Sequence, residues 1–312
     1  MDHPPLRVAV IGVGHLGKHH ARLLAAVEGV QLVAVVDKQA DRAAAAADAT
    51  GARALTDFRE LIGSVDAVTI AVPTEIHRDV AMPFLERGTA VLVEKPITRT
   101  IAEAGELVAA AQASGATLAA GHTERHNPAV GTVMPFVTTP RFIEVHRLGV
   151  FTDRSLDIDV VFDLMIHDLD IILAMVKGEV SAIEAVGVPV LTEKFDIANA
   201  RLRFSTGCIA NVTASRISKD RVRKIRLFQP DAYVSIDYAE QEVEGYRLVR
   251  RDGERPRIQG GKLPVTREEP LKRELQDFID AARGKRPALV TGEDGLRALT
   301  LAQAIADRME TV

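Results

Sequence analysis

Three short stretches of this 312-residue chain bring together residue types that could do chemistry: Gly12-Val13-Gly14-His15-Leu16-Gly17, Glu94-Lys95-Pro96 and Asp163-Leu164-Met165-Ile166-His167. The first is a G-x-G-x-x-G turn. Its first glycine permits a tight turn and its second lets a pyrophosphate approach the backbone. Its third lets the next helix pack closely on the strand, with the helix N-terminus facing the anion. Asp37 follows Gly17 by twenty residues and ends a second apolar run. A carboxylate at that place accepts hydrogen bonds from the adenosine ribose hydroxyls and repels a 2′-phosphate. The pair points to NAD rather than NADP, with Lys38 and Arg42 as nearby cations that soften the preference. The alternative is a phosphate-free turn in which Asp37 merely caps a helix.

Lys95 directly follows the apolar run 90–94, and the carboxyl ends of strands form the ligand crevice of an open α/β sheet. A lysine there can polarise a hydroxyl or carbonyl oxygen; otherwise it is a solvated residue at a loop entry. Asp163 and His167 are spaced i, i+4, which places them on one helix face among Val160, Val161, Phe162, Leu164, Met165, Ile166 and Leu169. A histidine so placed suits general-base removal of a hydroxyl proton. It equally suits a structural pair with Asp163 or Asp170. His15 with His19 and His122 with His126 share the same spacing, but no third or fourth ligand accompanies either pair, so no metal is expected. Between 216 and 226 stand Arg216, Lys219, Arg221, Arg223, Lys224 and Arg226 against the single acid Asp220. Guanidinium forks suit phosphate oxygens, while the same residues on a strand edge discourage edge pairing.

The elements that must position these residues follow from hydrophobic patterning. Apolar runs at 7–11, 31–36, 66–72, 90–94 and 117–121 alternate with helical segments near 15–27, 40–50, 75–87 and 100–114. That alternation predicts a parallel sheet covered on both faces. Thr100-Ile101-Ala102-Glu103 reads as a capping box and Gly115 as a C-terminal stop. Beyond residue 121 the texture changes. One long helix is expected over 157–176, then β-rich segments near 180–191, 195–205, 208–218, 222–229, 232–238 and 242–250 in an antiparallel meander. The Gly- and Pro-rich stretch 251–266 reads as a loop, and helices near 267–283 and 292–309 close the chain. The expected architecture is an α/β Rossmann domain over 1–121 and an α+β domain with an open antiparallel sheet over 122–312.

Composition limits the partners. A formal net charge of −4 supplies no basic field for nucleic acid or acidic membranes, and ten Phe, three Tyr and no Trp are a thin supply for base stacking. The single Cys208 excludes an internal disulfide and fits a reducing compartment. No signal-like N-terminal run and no apolar stretch of about 18 residues is present, so a cytoplasmic protein is expected.

Taken together, Gly12-x-Gly14-x-x-Gly17, Ala71-Val72-Pro73-Thr74 with His77, Glu94-Lys95-Pro96 and Asp163-x-x-x-His167-Asp168-x-Asp170 resemble the Gfo/Idh/MocA oxidoreductases over essentially the whole chain. The resemblance implies a Rossmann domain, and a C-terminal sheet that often mediates homodimers or homotetramers. It makes Lys95, Asp163 and His167 the catalytic lysine, aspartate and histidine. It gives the cofactor Gly12, Gly14, His15, Leu16, Gly17, Asp37, Lys38, Ala71, Pro73, Thr74, His77, Glu94, Lys95 and His122. The stretches 121–128, 187–192, 196–201 and 213–216 resemble one branch of the family, the UDP-N-acetylglucosamine 3-dehydrogenases associated with bacterial lipid A synthesis. That branch oxidises the sugar 3-hydroxyl to a ketone which a partner aminotransferase can aminate. Arg125, Asn127, Arg216, Arg221 and Arg223 become the candidate substrate residues. His126 stands where the branch is expected to carry an aromatic, usually Phe. The rival readings are an inositol or free-sugar dehydrogenase and a catalytically silent NAD-sensing regulator on the same fold.

Overall fold

The computed structural model describes residues 4–152, 158–250 and 254–311. The N-terminal Met1-Asp2-His3, the expected helix start at Asp157 and the first residues of the expected loop, 251–253, lie outside the described residues. The chain forms two compact units. The first holds 1–123 and 269–296, the second 124–268 and 297–312.

In the first unit β1 (Leu6–Ile11), α1 (Gly17–Leu24), β2 (Val30–Val36), α2 (Ala40–Thr50), β3 (Arg53–Leu55), β4 (Ala67–Ile70), α3 (His77–Leu85), β5 (Ala90–Glu94), α4 (Ile101–Ser114) and β6 (Leu118–Gly121) follow one another. The six strands form one parallel sheet in the order β3-β2-β1-β4-β5-β6. Strand order reverses at β1, which makes the carboxyl ends of β1 and β4 the switch point where such sheets bind ligands. The short β3 is an element the hydrophobic pattern does not announce. Thr100 accepts from the Glu103 N–H while the Glu103 side chain accepts from the Thr100 N–H, the reciprocal bonds expected at the start of α4. Gly115 ends that helix in the left-handed region at φ 72°.

The second unit contains α5 (Pro128–Val133), β7 (Phe142–Leu148), a π-helical turn (Val161–Met165) leading into α6 (Ile166–Met175), and β8 (Val180–Val188), β9 (Ile197–Phe204), β10 (Ile209–Ser215), β11 (Val222–Gln229), β12 (Ala232–Asp237), β13 (Glu242–Val249) and β14 (Arg257–Leu263). The chain ends in α7 (Pro270–Ala282), α8 (Gly292–Ala306) and β15 (Met309–Thr311). Nine strands form one sheet ordered β14-β13-β12-β11-β7-β10-β9-β8-β15. It is antiparallel except that β7 pairs parallel with β10 and β15 parallel with β8. Alternation sets its two faces. Ala198, Ala200, Leu202 and Phe204 of β9 are buried, whereas Asn199, Arg201 and Arg203 between them are not. The inner face packs on Met165, Ile166, Leu169 and Ile172 and on Leu301, Ala302 and Ile305 of α8.

Three expectations change. The stretch 251–266 contains a strand, β14, instead of being all loop. Its Gly260 allows β13 to approach, since a Cβ there would stand 2.0 Å from the Gly245 carbonyl oxygen. The long helix is a π turn followed by an α-helix. Finally, a single crossing at 121/122 does not describe the division into units, because 269–296 returns to the first. Leu271, Leu275, Phe278 and Ile279, at i, i+4, i+7 and i+8 of α7, form an apolar stripe that joins the core containing Leu24, Val35 and Leu92.

Candidate functional site

The glycine turn has the shape that a bound dinucleotide requires. Gly12 has φ 87°, and a Cβ there would lie 2.5 Å from the Ala71 oxygen; a Cβ on Gly17 would lie 1.8 Å from the Gly12 oxygen. Gly14 differs: nothing lies within 4 Å of where its Cβ would be, so that side of the turn is open for a phosphate to approach the backbone. The Asp37 carboxylate at the end of β2 accepts from the Val13 N–H at 3.1 Å and from the Gln39 N–H at 3.0 Å. A cleft of about 890 Å³ opens here, lined by Gly12, Gly14, His15, Leu16, Asp37, Lys38, Ala71 and Pro73 from the sequence-derived set. Arg42, Asp57, Phe58 and Arg59 also line it. Of these, Phe58 and Arg59, with the guanidinium 5.1 Å from the ring centroid, carried no signal in sequence because they lie in a single short 3-10 turn beyond β3. This open glycine turn with a fixed acid at its rim fits a nicotinamide dinucleotide.

Gly17, Thr74, His77, Glu94, Lys95 and His122 complete the cofactor set and are not among the residues lining that cleft. His77 is buried with both ring nitrogens against backbone carbonyls, Nε2 at 2.9 Å from Val72 O and Nδ1 at 3.0 Å from Pro96 O. It therefore ties the turn after β4 to the turn after β5. Burial pulls its pKa below the ordinary histidine value, opposed by those carbonyls and by Glu94. Lys95 is partly exposed at the end of β5, and the Lys95–Pro96 peptide is cis. His122, just past β6, is fully buried.

The second unit places Asp163 in the π-helical turn and His167 in the first turn of α6. Both are partly exposed, while Met165, Ile166, Asp168 and Leu169 around them are buried. The neighbouring acids are committed elsewhere. Asp170 is gripped by Arg125 through two bonds, Nε to Oδ2 at 2.7 Å and Nη2 to Oδ1 at 2.6 Å. Asp168 is gripped in the same way by Arg147, at 2.6 and 3.0 Å. Burial works against charge on Arg147, yet Asp168 and Glu124 hold its pKa above the ordinary value. Its guanidinium also lies over the Tyr238 ring. The two acids nearest His167 in α6 are thus each held by an arginine.

The candidate substrate residues divide into two groups. Arg125 is spent on Asp170, and Asn127 donates to the Tyr238 carbonyl at 3.0 Å while its Oδ1 caps α5 by accepting from the Ala129 N–H. Arg216 is 5% exposed, donates to the carbonyls of Ile158 and Phe195, and lies 3.7 Å from Asp196. Arg221 is exposed. Arg223, on the same face of β11 as buried Ile225 and Leu227, is half-buried and 3.4 Å from Glu124. Lys224 and Arg226 alternate to the other face, where they pair with Asp237 and Glu144. The basic segment is therefore no single patch. His126, at the position expected to be aromatic, is buried at 5% exposure.

Comparison with known proteins bears on the same two units. Residues 6–122 match the oxidoreductase family with an NAD-binding Rossmann fold, and residues 128–231 match the GFO/IDH/MocA C-terminal domain. A UDP-N-acetylglucosamine 3-dehydrogenase of Acidithiobacillus ferrooxidans is 38% identical over 309 residues, spanning 98% of this chain and 97% of that protein. Its crystal structure superposes with a TM-score of 0.91 over 98% of each chain. An inositol 2-dehydrogenase of Paenarthrobacter aurescens is 29% identical over 332 residues, spanning 98% of this chain and 97% of that protein. Levoglucosan dehydrogenase in complex with NADH and L-sorbose shares the fold, with a TM-score of 0.85 at 19% identity over 97% of this chain and 96% of that one.

Proposed function

The chain belongs to the Gfo/Idh/MocA family of NAD-binding oxidoreductases, and on that premise we propose that it oxidises the 3-hydroxyl of UDP-N-acetylglucosamine to the 3-keto sugar. The observation that carries this reading is the end-to-end similarity to a UDP-N-acetylglucosamine 3-dehydrogenase, at 38% identity over 98% of the chain. NAD, when bound, supplies the hydride acceptor. The chain's own groups do the rest. His167 takes the hydroxyl proton on its imidazole, Asp163 supports it in that role, and Lys95 donates a hydrogen bond to the reacting oxygen as charge develops there. Asp37 selects NAD over NADP, since a 2′-phosphate would meet a carboxylate already held in place by two backbone N–H groups.

Of the arginines weighed as phosphate ligands, Arg221 and Arg223 are the two we retain for the UDP diphosphate, because Arg125 and Arg216 are engaged internally. The product ketone is the class of compound that an aminotransferase consumes, which fits a step in lipid A synthesis in the cytoplasm. The outward face of the nine-stranded sheet is the surface for a homodimer or homotetramer. NADH formation across a panel of UDP-sugars, free sugars and inositols tests the reading. UDP-N-acetylglucosamine should be oxidised and free N-acetylglucosamine should be nearly inert. Better turnover of inositol or a free sugar would replace the substrate assignment, and no turnover with any member would favour the NAD-sensing regulator.

A further inference from the structure

Beside the peptide of Lys95 the first unit buries three titratable side chains that do not line the dinucleotide cleft. His20 on α1 is 0% exposed, Glu94 at the end of β5 is 6% exposed and Glu274 on α7 is 1% exposed. One nitrogen or oxygen from each lies within 4.8 Å of the others. His20 Nε2 is 3.1 Å from Glu94 Oε1, and Glu94 Oε2 accepts the backbone N–H of Lys95 at 3.2 Å. Glu274 Oε2 accepts from the Thr123 hydroxyl at 3.0 Å. Glycine at 121 makes the room, because a Cβ there would stand 3.0 Å from the Cα, Cδ and Oε2 of Glu94.

Burying a carboxylate is costly unless hydrogen bonds compensate it. A leucine would fill similar space without that cost, but it could not accept the Lys95 N–H. Hydrogen bonds to an ionised acceptor are stronger than neutral ones. We propose that Glu94, backed by His20 and Glu274, is a positioning residue that fixes the peptide of Lys95 and so the direction in which the lysine leaves β5. Glu94 then acts through Lys95 and is not a ligand of the cofactor. The inference rests on Lys95 being the catalytic lysine of the proposed reaction. A misplacement of about 1 Å at a reacting group can cost on the order of a hundredfold in rate, so such support is worth its burial.

The test compares Glu94→Leu, Glu94→Gln and His20→Asn, reading kcat, the NAD dissociation constant and hydrogen exchange of the Lys95 amide. Glu94→Leu should lower kcat by roughly 30-fold or more with NAD affinity within about threefold, and should speed exchange of the Lys95 amide at least about tenfold. Glu94→Gln keeps an acceptor for that N–H, so it should retain amide protection and most of the turnover. His20→Asn should fall between them with the same split, and it carries the test if Glu94→Leu does not fold. Parent-like kcat and exchange in both Glu94→Leu and His20→Asn would reduce the cluster to packing. NAD affinity lost in step with kcat/KM while the amide stays protected would make Glu94 a cofactor ligand instead. Stabilisation of the parent by added Zn²⁺ or Mn²⁺ that His20→Asn abolishes would make the cluster a metal site and overturn the proposal. Lys95→Met, measured alongside, separates the two layers. If it keeps turnover the catalytic reading of Lys95 falls, whereas the amide-exchange arm still reports on positioning.

Discussion

His167 stands where a π-helical turn gives way to a regular helix, a kind of irregularity often found at functional sites. Its two acidic neighbours Asp168 and Asp170 are each locked to an arginine, and in the proposed reaction the histidine is the proton acceptor. His167→Asn should therefore lower kcat by about 10²–10⁴ while NAD affinity stays near the parent value, measured by steady-state kinetics and direct titration. At the other end of the proposed reaction, NAD should bind tighter than NADP, and Asp37→Ser should narrow that gap mainly by improving NADP binding. Equal affinities in the parent would remove Asp37 as the discriminating group. Residues of the glycine turn are legible in sequence because their spacing encodes a local backbone shape. The cluster of His20, Glu94 and Glu274 is not, since three distant segments must fold before those atoms meet. Nor is the fate of Arg216, which donates to the backbone carbonyls of Ile158 and Phe195.

Among the elements, β1, β2, β4, β5 and β6 read directly as continuous apolar runs, because a strand buried on both faces has no polar side to interrupt it. The capping box and the glycine stop of α4 are equally local. β7 goes unannounced: its inward residues Ile143, Val145 and Arg147 alternate with partly exposed ones, and its parallel partner β10 lies far along the chain. β14 is hidden by its glycines, which mimic a loop until the close pairing with Gly245 and Tyr246 is known. The His77 tie between the turns after β4 and β5 gives a prediction at this scale. Burial lowers the pKa of His77 in the fold, whereas the unfolded chain takes up a proton near pH ~6.5. The unfolded state thus binds more protons in the window just below that value. The stability contributed by neutral His77 is complete above about pH 6.5 and is lost as pH falls through the window. His77→Asn should flatten the dependence of unfolding free energy on pH just below about 6.5, as read from urea titrations; an unchanged slope would exclude His77 as its source.

At the scale of the whole molecule, the return of α7 to the first unit makes that unit discontinuous in sequence. Phe278 is 1% exposed within the core shared by Leu24, Val35 and Ala119. Phe278→Ala should cost about 3–5 kcal/mol of stability, visible as a lower urea midpoint, although the residue lies far along the chain from the glycine turn. A fragment ending at residue 123 should accordingly expose apolar surface and bind a hydrophobic dye, while a chain that includes α7 should not. The domain patterning of the first 121 residues cannot reveal this, because amphipathic helices near the C-terminus do not announce which sheet they cover.

The order of synthesis acquires a meaning from the same return. When β6 has left the ribosome, the stripe of Leu271, Leu275, Phe278 and Ile279 that belongs against its sheet is still untranslated. At about 5–20 residues per second, the intervening chain takes roughly ten to thirty seconds to appear. Throughout that interval the nascent Rossmann sheet carries an uncovered apolar face. Completion of the first unit is thereby deferred until residues 124–268 of the second have been made, and a chaperone that covers apolar surface has a defined period in which to act.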